Sequence, residues 1–267
     1  MSRFLVIPGT RVQLDRWDPG DSSVFHGLKD DGRRELAKLT ARLAELQELL
    51  YAEHKHAVLI VLQGMDSAGK DGTIRRVFEG VNPQGVRVAS FKVPTTPERD
   101  HDFLWRIHPQ VPALGEMVLF NRSHYEDVLV PRVLHTISPR AWERRCREIN
   151  EFERMLCDEG TTVLKFFLHI SHSEQKRRFK ERLRDPTKHW KFRSADLVDR
   201  RKWDAFQRAY EGVLSKTSTA WAPWSVVPSD HKWFRDLVVS ERIVGTLERL
   251  KMHYPPLPPD LRSVRIR

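Results

Sequence analysis

An α/β fold, with a parallel sheet flanked by helices, follows from three features of this 267-residue chain. Residues Ala57–Leu62 (AVLIVL) form a continuous apolar run of strand length, as in strands buried on both faces. A glycine-bearing loop and a helical stretch follow at once. Further strand-like runs then alternate with helical ones, the pattern of crossover connections in a parallel sheet.

The elements can be read in order. Residues 1–31 are rich in Asp, Gly and Pro, lack a sustained period, and are read as an N-terminal arm lying on the core. A helix is expected from Gly32 to about Glu53. Leu36, Leu39, Leu43, Leu46 and Leu50 recur there at three- and four-residue steps, giving one apolar face. A coiled coil would use the same spacing, but little more than two heptads favours core packing. The helix after the apolar run is expected over about Asp71 to Val81, and further strands at Val86–Phe91, Met117–Phe120, Thr161–Leu168 and Trp224–Val227. Pro139–Cys157 reads as a helix, with Ser138 as N-cap, Pro139 at the first helical position and Gly160 just past the end. A last helix is expected over about Lys232–Met252, before an extended tail at 253–267. The organisation is one domain over residues 32–252, with a lid at about 183–210.

Composition narrows the function. Hydrophobic residues make up 40% and aromatics 9%, enough for a sizeable core and unlike a disordered chain. A net charge of +10 points to an anionic partner, whether nucleic acid, a membrane surface or a phosphate-rich substrate. The alternative is a generally basic, solvated surface. The charge is concentrated, however: Lys176–Arg208 holds thirteen Lys and Arg against five Asp and Glu. Cys146 and Cys157 lie roughly 16 Å apart along one expected helix, too far for a disulfide, and are read as buried thiols of a reducing compartment. The N-terminal hydrophobic patch Phe4–Ile7 is too short for a signal peptide, and no later run spans a bilayer. A soluble cytoplasmic protein is expected.

The chemistry is carried by Gly64-Met65-Asp66-Ser67-Ala68-Gly69-Lys70-Asp71-Gly72-Thr73. Gly64 to Lys70 match GxxxxGK, the phosphate-binding loop, between an apolar strand and a helix. Gly64, Ser67, Ala68, Gly69, Asp71 and Gly72 would supply the cradle, with backbone N–H groups turned inward and the helix presenting its positive end. Lys70 would bring a charge to the transferred phosphoryl group. Asp71 stands where the usual Ser or Thr would hold Mg²⁺, and Asp66 lies inside the loop. A carboxylate there would repel phosphates unless a cation intervenes or it orients the acceptor. Asp66 is therefore read as metal ligand, acceptor positioner or base, against a plain turn residue.

A second cluster, Asn121-Arg122-Ser123-His124-Tyr125-Glu126-Asp127, ends another strand, where α/β sheets bind ligands. Arg122 offers a planar fork to phosphate. Glu126 and Asp127, one turn on, could hold metal-bound water or pair with arginines. His124 is set aside as a surface or satisfied core residue. The third cluster is the basic segment, in which Arg178 and Arg182 share a helix face before Asp185-Pro186 breaks the helix, and Lys188 and Lys191 follow. Such a break leads into a lid that closes over phosphates in small kinases. Trp190 and Phe192 could stack on a nucleobase, but such residues more often pack the lid itself.

In order from about residue 30 to residue 250, GMDSAGKDGT, VNPQGV, SFKVPT, HDFLWR, FNRSHYEDV, DPTKHWK and WAPWSVVPSDHKWFRDLVV resemble the family-2 polyphosphate kinases. The resemblance implies a P-loop kinase fold like that of thymidylate kinases, with a helical lid. It implies reversible, Mg²⁺-dependent transfer between inorganic polyphosphate and nucleotides, with Mn²⁺ as a substitute metal. The implied nucleotides are those of adenine, with guanine as a second class, and the implied assembly is a homo-oligomer, a tetramer or a dimer. By matching positions Asp66 and Lys70 are the loop acid and lysine, and Arg122 the second-motif arginine. Arg178, Arg182, Lys188 and Lys191 match the basic residues of helix and lid. Asn121 stands where many members carry an aspartate. In its NRSHYED context it resembles the subgroup that accepts both nucleoside mono- and diphosphates. Metal ligation would then fall on Asp66, water and phosphate oxygens, with help from Asp127. Two other classes share some features: an ATP-dependent nucleoside or nucleoside monophosphate kinase, which needs no long basic track, and a nucleic-acid-binding module, against which no nucleic-acid motif is present.

Overall fold

The computed structural model describes residues 2–261, 264 and 265; Met1 of the arm and residues 262, 263, 266 and 267 of the expected tail lie outside the described residues. The strands are β1 (Ala57–Gln63), β2 (Val86–Ser90), β3 (Met117–Asn121), β4 (Thr161–His169) and β5 (Trp224–Pro228). The helices are α1 (Lys29–Glu53), α2 (Lys70–Val77), α3 (Thr96–Asp100), α4 (Glu126–Val133), α5 (Pro139–Asp158), α6 (His172–Arg184), α7 (Ser194–Arg201), α8 (Trp203–Thr217) and α9 (Lys232–Arg249). The strands pair in parallel in the order β2-β3-β1-β4-β5.

Strand β1 is central and buried along its whole length, as its unbroken apolar sequence requires. The described part of the N-terminal arm covers the edge of β5: Leu5 bridges Ser225 antiparallel, and the Val6 N–H donates to the Trp224 carbonyl at 2.9 Å. Phe4, Val6, Val12 and Leu14 of the arm are buried in the core. An edge that would otherwise offer free backbone groups is thereby closed.

Helix α1 buries Leu36, Leu43, Leu46 and Leu50, the stripe read from their spacing, and packs it on α9. The two helices approach closely at Gly32, where a Cβ would lie 2.4 Å from the Trp233 ring. Helix α1 begins at Lys29 rather than Gly32 because the Asp31 carboxylate accepts from the Leu28 N–H at 2.8 Å and satisfies a free donor of the first turn. Helix α2 stops at Val77 rather than Val81, where Phe78 leaves helical geometry with its N–H still on the Ile74 carbonyl. Helix α9 stops at Arg249 rather than Met252; Lys251 turns left-handed at φ 51°, a common helix end. Helix α5 starts on Ser138, whose Oγ accepts from the Ala141 N–H at 3.2 Å. Both cysteines are free and lie on α5, but only Cys146 is buried; Cys157, one residue from the helix end, is half-buried at the rim of the core, with its Sγ 3.9 Å from the Trp221 carbonyl.

After α6 the chain breaks at Asp185, whose Oδ1 accepts from the Thr187 N–H at 3.0 Å. A 3₁₀ turn at Pro186–Lys191 leads into α7 and α8. The segment expected as a lid, at about 183–210, takes in this turn, α7 and the first half of α8, whose Phe206, Ala209 and Tyr210 are buried in the core. No helix among the described residues is long and apolar enough to cross a membrane.

Candidate active site

Strand register assembles the site. Leu62 of β1 lies opposite both Asn121 of β3 and Phe166 of β4. The loop after β1 and the turn after β3 therefore leave the sheet side by side, tied by the Arg122 N–H donating to the Leu62 carbonyl at 3.2 Å. This is the carboxyl edge, where chain order reverses around β1 and where α/β sheets bind ligands.

The loop Gly64–Lys70 is held from behind by two arginines. Arg178 Nη1 donates to the Ser67 and Ala68 carbonyls at 2.8 and 3.0 Å, and its Nη2 to the Ser229 carbonyl at 2.5 Å. Arg235 Nη1 donates to the Ala68 carbonyl at 3.2 Å. At Gly69, with φ 114°, an added Cβ would fall 1.8 Å from Arg235 Nη1, so only glycine fits. With these carbonyls fixed outward, the start of α2 faces the cleft. Its first helical bond runs from the Thr73 N–H to the Gly69 carbonyl at 2.9 Å, so the N–H groups of Lys70, Asp71 and Gly72 precede any intrahelical acceptor. Ser67 and Arg122 are left-handed, at φ 64° and 63°, within the site itself. The other non-glycine residues of this kind, His54, His135 and Lys251, follow helices, where the conformation is ordinary. Strain concentrated at paired loops is a mark of ligand sites.

Charged side chains converge above the loop. Lys70 Nζ donates to the Gly64 carbonyl at 2.6 Å. Arg122 reaches Asp66 at 3.1 Å and Glu126 at 3.9 Å. Gln63 closes the floor: in the orientation that satisfies both its ends, its amide nitrogen donates to Glu126 Oε1 at 3.1 Å and its oxygen accepts from Ser123 Oγ at 3.0 Å. Asn121 donates to Asp71 Oδ1 at 2.7 Å. Burial pushes the Glu126 carboxyl up, while Arg122 opposes the shift. Burial would pull Arg122 down, but Glu126 and Asp66 outweigh it and hold its guanidinium above the ordinary value. On α7, Asp196 and Asp199 have carboxyls raised by burial and then by the field of Asp66.

Burial, then the nearby Arg122, pushes the Lys70 ammonium below its ordinary value. A phosphate anion on the loop would offset both effects and raise it again. Binding of inorganic tripolyphosphate at alkaline pH is therefore expected to take up protons. Calorimetry in two buffers of different ionisation enthalpy checks this; proton release, or no buffer dependence, would contradict it.

Several residues singled out in the sequence lie elsewhere than expected. Arg178 is buried behind the loop, with its guanidinium on backbone carbonyls and Glu174, so it shapes the cradle instead of facing a polyanion. Asp127 is ion-paired with the buried Arg106 at 2.9 Å, which also donates to the Lys92 carbonyl. That carboxylate anchors the HDFLWR segment to α4 and does not join Asp66. Arg182 donates to the Lys191 carbonyl at 3.1 Å, Lys188 pairs with Asp185 at 2.6 Å, and Lys191 sits over the Trp190 ring at 4.8 Å. Phe192 packs edge-on against Phe179, as a lid residue would, while Trp190 is 75% exposed. His124 is a core residue, neither on the surface nor fully satisfied: its Nε2 reaches Glu153 Oε1 at 3.2 Å, while its buried Nδ1 has no partner among the described residues. Gln63, Gln175 and Arg235 touch the site without having been read from the sequence. Only Gln63 carried a signal, a polar residue closing the apolar strand.

A glycine-bearing loop, a fork-bearing arginine and an acid inside the loop thus lie together at the carboxyl edge of the sheet. Residues 27–255 match the model of polyphosphate kinase 2 (PPK2). The chain belongs to this family. It is 57% identical over 266 residues to the AMP/ADP-polyphosphate phosphotransferase of Meiothermus ruber, covering 100% of this chain and 99% of that one. It is 44% identical to the ADP-polyphosphate phosphotransferase of Rhodopseudomonas palustris, covering 98% and 94%. The crystal structure of polyphosphate kinase 2 from Arthrobacter aurescens TC1 superposes with a TM-score of 0.92 at 44% identity, covering 95% of this chain and 90% of that one. The parallel sheet flanked by helices is thus the fold of the polyphosphate kinase 2 family.

A metal has a limited donor set here. Among the described residues no three Asp, Glu, His or Cys side chains converge on one point. Mg²⁺ needs no such cage, since it keeps several waters and binds through one or two carboxylates plus substrate phosphates. Asp66 at the mouth of the loop fits that arrangement. Asp127 does not.

Proposed function

We propose that this protein transfers phosphoryl groups reversibly between inorganic polyphosphate and adenine nucleotides, AMP to ADP and ADP to ATP, with guanine nucleotides as a second class of acceptor. The observation that carries the reading is the cluster of Lys70, Asp66 and Arg122 over a phosphate loop whose outward carbonyls are pinned by two arginines. The names of its relatives support the donor and the acceptors.

In this reading the terminal phosphoryl group sits on the loop N–H groups between Lys70 and Arg122. Lys70 must leave the Gly64 carbonyl to meet it. Arg122 must exchange Asp66 for phosphate oxygens, which frees Asp66 to orient the acceptor and to hold Mg²⁺. The metal, bound through Asp66, would neutralise charge on the phosphates. Positioning and charge neutralisation carry phosphoryl transfer, with little covalent work for the protein. The wider acceptor range rests on the resemblance of the Asn121 context to the subgroup that takes both mono- and diphosphates, and on the name of the Meiothermus ruber relative. An aspartate at this position would set a second carboxylate against Asp71, whereas the amide donates to it. Lys188, Lys191 and Arg182 supply positive charge along the lid for the polyanion. A homo-oligomer, dimer or tetramer, is part of the proposal, supported by half-exposed Met155 and Trp221 on the surface. A cytoplasmic place suits the two free thiols.

The test is a mixture of purified protein, Mg²⁺, long-chain polyphosphate and AMP without ATP, followed by nucleotide chromatography. ADP and then ATP are expected. Conversion of ADP but not AMP would overturn the reading of Asn121. No conversion by polyphosphate, with phosphorylation from ATP instead, would overturn the donor.

A further inference from the structure

The lid and the phosphate loop are joined through one buried amide. Gln175 on α6 is 1% exposed. Its Nε2 donates to the backbone carbonyl of Asp66 at 3.0 Å. Its Oε1 accepts from Arg200 Nη1, on lid helix α7, at 2.8 Å. The same nitrogen of Arg200 donates to the His172 carbonyl at 2.8 Å. The His172 ring lies 4.8 Å from that of Trp203, at the start of α8. Helix α7 is thus anchored at Arg200, one turn beyond Asp196, whose Oδ2 accepts from the Arg193 N–H at 3.3 Å and lies 3.9 Å from Arg182.

Both ends of the amide are engaged, one by each element. An amide has a fixed polarity, so the donor end meets a carbonyl and the acceptor end meets a guanidinium. If α7 swings away, Gln175 keeps a buried acceptor with no partner, and its hold on Asp66 loosens. Buried polar groups left unpaired are costly, so the two contacts favour a common state.

We propose that Gln175 and Arg200 form a strut that registers lid helix α7 against the Asp66 backbone, so that seating the lid positions Asp66 for transfer. Both are positioning residues; neither reaches the cleft's reacting groups. The inference rests on the phosphotransfer reading given above.

Full-length variants test it by steady-state kinetics with polyphosphate and ADP. R200A cuts the lid link and leaves the loop link. Gln175→Glu keeps a partner for Arg200 but turns an oxygen toward the Asp66 carbonyl. Each is expected to lower kcat about tenfold, the scale of one charge-assisted hydrogen bond, with KM for polyphosphate changed less than twofold. R200K should recover part of the loss. Because the links act in series, the double variant should lose no more than the worse single variant. A kcat within twofold of the unaltered protein in both single variants would overturn the strut, as would losses that multiply in the double variant. So would losses that vanish when the assay is cooled below each variant's melting range, since these would report folding alone. If the unaltered protein uses ATP and not polyphosphate, the donor reading fails, and the same kcat comparison with ATP still decides the strut.

Discussion

Replacing Asp66 by asparagine is expected to lower turnover by roughly 10²–10³-fold, the usual scale for removing one preorganised electrostatic group from a transfer site. The melting temperature should stay within a few degrees. The reasoning separates the two effects. Asp66 is 19% exposed and its partner Arg122 45%, so water reaches the pair from the arginine side, and pairs open to water add no more than about 1 kcal/mol to stability. Asparagine has the same shape and keeps an oxygen for Arg122. It cannot supply the negative charge that draws a cation toward the phosphates. The expected signature is therefore loss of kcat in a protein that melts normally. Turnover within threefold of the unaltered protein, with a normal melt, would remove Asp66 from the mechanism.

What could be read from the sequence follows the range of the interactions. The loop Gly64–Lys70 and the strand before it are local features, and their chemistry is stated within ten residues. The core-facing stripe of α1 is local too. Arg178 and Arg182 show where local reading ends. Their spacing puts them on one helix face, yet Arg178 reaches back to carbonyls 110 and 111 residues away in the chain, while Arg182 stays with Lys191. A count of positive charges cannot tell a residue that builds the cradle from one that meets the ligand. Glu126 and Asp127 make the same point at a helix start. One residue of rotation turns the first to Arg122 and the second to Arg106. Arg235 and Gln175 were silent because their partners are set by the tertiary fold, 167 and 109 residues distant. Lys165 did leave a trace, as a lone charge in the apolar run TTVLKFFLH, but its partner could only be found in space.

That lysine carries the largest expected effect on stability. Lys165 and Glu153 are both 0% exposed and 2.5 Å apart. Lys165 also donates to the Thr217 carbonyl at 2.6 Å and to Tyr125 Oη at 2.9 Å. Glu153 Oε1 accepts from Tyr125 Oη at 2.7 Å and contacts His124 Nε2 at 3.2 Å. Burial pushes the Glu153 carboxyl up, but Lys165 and the His124 contact outweigh it and hold it below its ordinary value. Burial also pulls Lys165 below its ordinary value, and the carboxylate at 2.5 Å opposes that shift. Lys165→Met would leave a buried carboxylate without its cation. The expected cost is about 3–5 kcal/mol, or roughly a 10 °C fall in melting temperature for a chain of this size. Glu153→Leu should cost a similar amount, whereas the two substitutions together should restore most of the stability, because a desolvated ion pair and an apolar pair of like volume are often equivalent. The sign with pH follows from the lowered carboxyl. Its stabilisation is present above the unfolded carboxylate's ordinary value and is lost as pH falls through the folded one, so the unaltered protein should lose stability in acid more steeply than the double variant. The network also bears on catalysis, since His124 and Tyr125 belong to the turn that carries Arg122. If the double variant folds stably but loses activity, the ion pair is there to set that turn. If it keeps full activity, apolar packing holds the turn equally well, and the charge at Lys165 serves neither stability nor transfer.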